Sequence, residues 1–452
     1  MPEEILPDEL RLELDAIGRA DIVVGIPCFN SAETVGHVVT AVEAGLRKHF
    51  PDRRSVIVIS DGGSSDRTIE TALAAGVGDK ARLYLVDEKV PVPRKIAFTY
   101  RGIPGKGSAF RSIFRIVGRL EAGACAVVDS DLRSITGTWL DRLLSPVVHY
   151  GYDFVAPVYV RHKFDGTITN SIAYPLTTAL YGTRLRQPIG GEFGFSGKLA
   201  ANYVRHNVWE TDIARFGIDI WMTTVAVVEG FRVCQANLGA KLHDPKDPAA
   251  DLGPMFRQVV GSLFALAGKY HERWMGVDRI VDAPTFGLGA TFSVEPVNVS
   301  VTRLTWKFVE GYVRYQDVWR KIMTVETFSE VLGCISAASE SRMGFTLPVD
   351  LWFRIVYEFL VAYNVRKIDP GEVLDSLIPL YFARTASYVQ EVAEDSGEEA
   401  ERKIDEFVDV ALQFKPYLVR RWQQENVPVR RLADQPVPET AELIRQSASE
   451  TA

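Results

Sequence analysis

The sequence predicts an α/β fold: a Rossmann-like, mainly parallel sheet with helices on both faces, followed by a helical C-terminal domain. Three observations carry that expectation. Short apolar runs alternate with helix-spaced segments through the first part of the chain, and each run stops at a polar turn. The alternation ends near Thr302, beyond which the chain reads as almost continuous helix. Strand–helix alternation of this kind gives parallel strands whose carboxyl ends carry the ligand site.

The elements follow in order. Met1 to Asp21 is acidic and helix-like. Asp21 to Ile26 is a β-branched run ending at Pro27, and Ser31 to Phe50 then shows helical spacing through Val35, Val38, Val39, Val42 and Leu46. Ser55 to Ser60 is a second strand closed by Asp61-Gly62-Gly63-Ser64, with a helix over Thr68 to Ala75. Arg82 to Val86 reads as a third strand, Ser108 to Glu121 as a helix, and Ala124 to Val128 as a fourth strand stopping at Asp129. Tyr152 to Val160 and Arg232 to Leu238 read as later strands. Leu351 to Val365 is the longest apolar stretch, but Arg354, Glu358 and Asn364 interrupt it, so it predicts a buried helix and not a membrane span.

A chain of 452 residues exceeds one compact core. The expected division is an N-terminal helical segment (1–20), a catalytic α/β domain (21–300), a helical domain (301–426) and a flexible tail (427–452), where prolines and small polar residues predominate. A formal charge of -7 without a basic block argues against nucleic acid or an anionic membrane as partner. Cys28, Cys125, Cys234 and Cys334 are widely spaced, with no metal-ligand pattern, and read as reduced core thiols. With no basic start or apolar leader, the expected location is the cytoplasm.

Chemistry concentrates at the predicted strand ends. Asp129-Ser130-Asp131 places two carboxylates at the end of the fourth strand, where hard oxygen ligands suit Mg²⁺ or Mn²⁺ on a diphosphate. A lone Asp-x-Asp is more often a turn or helix cap. Here it has company: Pro27, Phe29, Asn30 and Glu33 follow the first strand, and Asp61 ends the second, where a carboxylate can accept the ring N–H of uracil or guanine. One arrangement thus recurs at three strand ends.

Over Asp21 to Gly268 the chain resembles GT-A glycosyltransferases of the family 2 type. Pro104-Gly105-Lys106-Gly107 and Gln187-Pro188-Ile189-Gly190-Gly191-Glu192 are similar to motifs of the retaining synthases of mannosylglycerate, glucosylglycerate and, more distantly, glucosyl-3-phosphoglycerate. The resemblance implies that Lys106 meets the donor phosphates and that His243, beyond Asn237-Leu238-Gly239, joins Asp131 and Asp129 at the metal. It makes Glu192 and Asp219 the candidate acids around the sugar, and Arg161 and Thr169 the acceptor-carboxylate site.

The implied activity is that of a metal-dependent hexosyltransferase in compatible-solute synthesis. It would move glucose or mannose from a GDP- or UDP-hexose to D-glycerate or a close small carboxylate, with retention. Glucosyl-3-phosphoglycerate synthesis, or an inverting transfer to a soluble oligosaccharide, stands as the alternative. The helical region, which also resembles that of mannosylglycerate synthase around Leu380 to Thr385, is assigned to packing and assembly, and a homo-oligomer is expected.

Overall fold

In the computed structural model, which describes residues 6–78, 87, 89–242, 248–289, 294–340 and 345–425, the chain opens with α1 (Asp8–Ile17), an amphipathic helix that buries Leu10 and Leu14. β1 (Ile22–Cys28) follows and is buried at every position. A strand covered on both faces shows no polar alternation, hence its unbroken apolar run. The chain then alternates through α2 (Val35–His49), β2 (Ser55–Asp61), α3 (Thr68–Ala74), β3 (Arg94–Thr99), α4 (Lys106–Arg119) and β4 (Ala124–Val127). Next come α5 (Gly137–Tyr150) and β5 (Phe154–Val160), then a π-helical turn (Thr169–Ala173) that runs directly into α6 (Tyr174–Tyr181).

The remaining α/β elements are β6 (Thr183–Arg184), β7 (Phe193–Ser196), α7 (Gly197–Arg205), α8 (Ile218–Val228), β8 (Val233–Ala240), α9 (Pro248–Lys269), α10 (His271–Met275), β9 (Val281–Asp282) and β10 (Thr285–Phe286). Eight strands form one sheet in the order β10-β8-β5-β7-β4-β1-β2-β3, and β6 pairs with β9 in a separate ribbon. β1 runs parallel to β2 and β4, β2 to β3, and β8 to β5 and β10. Only β7 is antiparallel, to both β4 and β5.

Two expectations fall on residues that the structure does not describe. The strand expected over Arg82 to Val86 lies outside the described residues, and β2 takes as its parallel neighbour β3, whose Arg94-Lys95 start hides it from an apolar-run reading. The flexible tail expected from Val427 also lies outside them.

The sheet separates two apolar cores. On one face α2 and α5 cover Val24, Ile26, Ile57 and Ala126. The core on the other face continues from Val23, Val58 and Phe195 through α4, α6, α8 and α9 into the C-terminal helices. These are α11 (Val301–Ile322), α12 (Val325–Glu340), α13 (Val349–Val365), α14 (Pro370–Glu391) and α15 (Gly397–Gln424). The helical region therefore shares a core with the sheet domain. The polar interruptions of α13 each find a partner: Glu358 accepts from Thr324 N and Thr327 Oγ1, Arg354 pairs with Glu330, and Asn364 Nδ2 donates to Phe264 O. Among the described residues no helix is long and apolar enough to cross a membrane. All four cysteines are free, and burial raises the thiols of Cys28, Cys125 and Cys234.

Trp352 on α13 joins the two regions directly, its indole N–H donating to Ser171 O at 2.8 Å inside the core. Trp352→Phe removes that donor and some volume, so it should lower unfolding free energy by about 2 kcal/mol. Denaturant titration checks this; an unchanged midpoint would mean that the two regions do not share a core.

Candidate active site

Because β1, β2 and β4 are adjacent and parallel, their carboxyl ends open on the same side, and a cavity of about 920 Å³ lies there. Its wall brings together Pro27, Phe29, Asn30 and Glu33 after β1, Asp129, Ser130 and Asp131 after β4, Lys106 at the start of α4, and Arg161, Thr169 and Asp219. These positions are up to 192 residues apart in sequence, between Pro27 and Asp219. Three expected site residues stand elsewhere. Asp61 and Glu192 are buried and absent from that wall, and His243 lies outside the described residues.

The floor of the cavity is a network of buried charges. Lys106 Nζ lies 2.7 Å from Asp129 Oδ1 and 3.2 Å from Asp219 Oδ2. Lys241, just past β8, places its Nζ 2.9 Å from both Glu192 oxygens, 2.9 Å from Gly190 O and 3.6 Å from Asp129 Oδ2. Tyr159 donates its hydroxyl to Glu192 from the other side. Burial alone would raise the Asp129 carboxyl, but the two lysines overcome it and hold it below the ordinary range. Lys106 shows the converse: burial lowers it, and Asp129, Asp219 and Glu192 carry it above its usual value. Glu192 is raised by burial first, with Asp129 adding to that against the pull of Lys241. Asp219 is also raised by burial, and its Oδ1 is buried without a hydrogen-bond partner.

Two glycines make this proximity possible. Gly191 has φ +94°, and a Cβ there would stand 2.5 Å from Asp129 Oδ2. At Gly107 a Cβ would meet Ile213 O at 1.9 Å, so only glycine lets the start of α4 lie against the 212–214 turn that leads to Asp219. Lys106 is thus fixed where the helix N-terminus and its own ammonium face the same space.

The two Asp-x-Asp carboxylates have different surroundings. Both oxygens of Asp129 face lysines, whereas Asp131 is exposed to the cavity and has no side-chain partner among the described residues. Ser130 Oγ pairs with Ser31 Oγ at 2.9 Å, and Ser130 O accepts from Thr34, tying the motif to the turn after β1. Asp61 serves its own turn: it accepts from Gly63 N, Ser64 N and Ser64 Oγ. Asn30, Gly62 and the exposed ring of Phe29 line the cavity beside that turn.

Arg161 also lines the cavity; it lies over the Tyr159 ring at 4.9 Å, and its Nε is buried with no hydrogen-bond partner, Asp165 being 4.0 Å away. Thr169, on the π-helical turn, lines the same region. The neighbouring cations are committed elsewhere. Lys163 donates to Val392 O, Ala393 O and Asp395 O, Arg184 binds Asp282 and Asp405, and Arg186 binds Glu401 through two nitrogens. Lys241 and Tyr159 are the contributors that the sequence reading did not select. Their only signal is position, at or just beyond the carboxyl ends of β8 and β5.

No family model matches the chain. Among curated proteins, the glucosyl-3-phosphoglycerate synthase of Mycolicibacterium smegmatis is 28% identical over 276 residues, covering 57% of this chain and 80% of that protein. The synthase of the same name from Mycolicibacterium paratuberculosis is 26% identical over 320 residues, covering 65% and 83%. A solved structure of the Mycobacterium tuberculosis synthase with Mn²⁺, UDP-glucose and phosphoglyceric acid is 23% identical, covering 57% of this chain and 83% of that one at a TM-score of 0.40. The relatives agree with the GT-A family 2 resemblance drawn from the motifs. The mainly parallel sheet with helices on both faces and a helical C-terminal region is the architecture that the sequence predicts.

Removing one partner of a buried ion pair strands the other, at a cost of about 3–5 kcal/mol. Lys241→Met should therefore destabilise the protein by an amount of that order, and adding Glu192→Gln should restore most of it. Denaturant midpoints of the wild type, both single variants and the double variant check the cycle; a double variant as unstable as Lys241→Met would show that Glu192 is not the group this lysine compensates.

Proposed function

We propose that this chain is a metal-dependent hexosyltransferase that moves glucose or mannose from a nucleoside diphosphate sugar to D-glycerate or a close small carboxylate, with retention of configuration. The observation that carries the proposal is that one cavity holds two sets of groups. Lys106, Lys241 and Asp131, which has no side-chain partner among the described residues, line it together with Arg161, whose Nε lacks a hydrogen-bond partner. The first set suits a diphosphate and the second a carboxylate.

Asp131 fits a metal ligand, being a hard oxygen donor on the cavity wall with no competing protein cation, and His243 is its expected companion. When bound there, Mg²⁺ or Mn²⁺ supplies positive charge to the leaving diphosphate. Lys106, backed by the N-terminus of α4, stabilises the same developing charge. Asp219 offers its unpartnered Oδ1 to a sugar hydroxyl, which orients the hexose. Arg161 and Thr169 hold the acceptor carboxylate, so the acceptor hydroxyl attacks from the face that the diphosphate leaves. Glu192, shut behind Lys241, supports Asp129 and takes no part as a base. That placement removes Glu192 as the base of an inverting transfer, which would have to use Asp219 instead, and retention rests on the motif resemblance.

The acceptor is the sharper question, since the relatives named above are synthases of a phosphorylated product and favour 3-phosphoglycerate. A phosphate dianion needs several N–H donors beyond those that hold the carboxylate. Lys163 and Arg184 are bound to protein oxygens, and Arg186 binds Glu401 through two nitrogens while its Nη1 stays without a partner, so a single donor is left among the nearby cations. That favours the unphosphorylated acceptor.

Asp131→Ala should abolish transfer and metal-dependent nucleotide binding, while Asp129→Asn keeps part of the activity; full turnover of Asp131→Ala, or of the wild type in excess EDTA, would refute the metal role. In side-by-side initial rates, D-glycerate should exceed 3-phosphoglycerate in kcat/KM, and the reverse order would establish the second reading. Arg161→Ala should lose about 2 kcal/mol or more of acceptor binding, the scale of a charge-assisted pair. Normal acceptor kinetics in that variant would place the acceptor elsewhere.

A further inference from the structure

Between the end of β5 at Val160 and the π-helical turn at Thr169 runs the segment 161–168, which carries Arg161 and leads to Thr169. The C-terminal helices hold this segment through side-chain hydrogen bonds. Lys163 Nζ lies 2.7 Å from each of three main-chain oxygens, those of Val392, Ala393 and Asp395, just past the end of α14. The last carbonyls of a helix lack internal partners and carry the negative end of its dipole. An ammonium has three donors and no acceptor, so its capacity is filled there. Four residues on, Thr167 Oγ1 meets Tyr381 OH at 2.5 Å, and four beyond that Ser171 O accepts from Trp352. The segment is thus fastened at two points, to α14 and the turn after it, and the π-helical turn that follows is fastened at a third, to α13.

Lys163 does not line the cavity, whereas its neighbours His162 and Phe164 do. Arg161, two residues away, points into the cavity with a buried Nε that no protein oxygen satisfies. We propose that Lys163 is a positioning residue: its hold on the end of α14 fixes the 161–168 segment so that Arg161 meets the acceptor in one geometry. This inference rests on Arg161 being the acceptor residue. It gives the helical region a part in acceptor recognition, in addition to packing.

A matched control exists in Lys415. It is buried where Lys163 is half-buried, and it likewise donates to three main-chain oxygens, Ala179 O, Leu180 O and Val277 O, across the same two regions, but it leads to no cavity residue. Steady-state kinetics on the full chain, with acceptor and donor each varied, separates the two lysines. Lys163→Met should raise the acceptor KM about tenfold, with kcat and donor KM within twofold of wild type, and Lys163→Arg should recover most of the loss. Lys415→Met should lower the melting temperature and leave all three constants unchanged. Tyr381→Phe, which keeps the ring and removes only the hydroxyl pair with Thr167, should raise acceptor KM in the same direction by a smaller factor, and it answers the question if Lys163→Met does not fold. An unchanged acceptor KM in a folded Lys163→Met or, failing that, in Tyr381→Phe would overturn the proposal, as would an equal rise in donor KM. Wild-type protein with no carboxylate-dependent transfer would instead remove the acceptor reading, and this inference with it.

Discussion

Two ammonium groups held among three carboxylates, where parallel strands end, are the constraint on which the rest of the structure depends. Lys106 and Lys241 share Asp129 between them, and each has a second carboxylate of its own, Asp219 and Glu192. Unpaired charges so deeply placed would each cost several kcal/mol. The fold must therefore deliver five side chains from five separate segments to one place. Gly191 and Gly107 are the points at which backbone yields to allow it. The network also leaves a useful remainder, because a second anion entering the cavity meets lysines already assembled and oriented.

That demand accounts for features which otherwise look incidental. β7 enters antiparallel between β4 and β5, and this brings Glu192, immediately before it, under the end of β4. β8 lies beside β5, so Lys241 reaches Glu192 while Tyr159 approaches from β5. The core on the helical face runs without a break from the sheet into α13 and α14, which makes the C-terminal helices a support for the 161–171 region. The resulting cavity carries Lys106, Lys241 and Asp131 on its wall together with Arg161.

Much of this was legible in the sequence, for physical reasons. β1, β2 and β4 are buried on both faces and show as apolar runs, and their polar turns mark the ligand edge. Asp131, Lys106, Asp219, Arg161 and Thr169 were found as strand-end or motif residues and do line the cavity. β3 was not legible, since an edge strand beginning Arg94-Lys95 has no reason to be apolar throughout. Asp61 and Glu192 were recognised as carboxylates near the site, but sequence spacing carries no information on which way a side chain turns. The Gly63 and Ser64 amides take one and Lys241 the other. Lys241 stands in the same motif segment as His243, but its role was not legible, because its side-chain partners are at least 49 residues away.

The account stands or falls on what one cavity does with two substrates. The most direct measurement is transfer from GDP- and UDP-glucose and -mannose to D-glycerate in the presence of Mg²⁺ or Mn²⁺, with the anomeric carbon of the product read by NMR. The account predicts a hexosyl-glycerate formed with the donor's α configuration retained. A product of inverted configuration, or hydrolysis of the nucleotide sugar with no transfer to any small carboxylate, would contradict it.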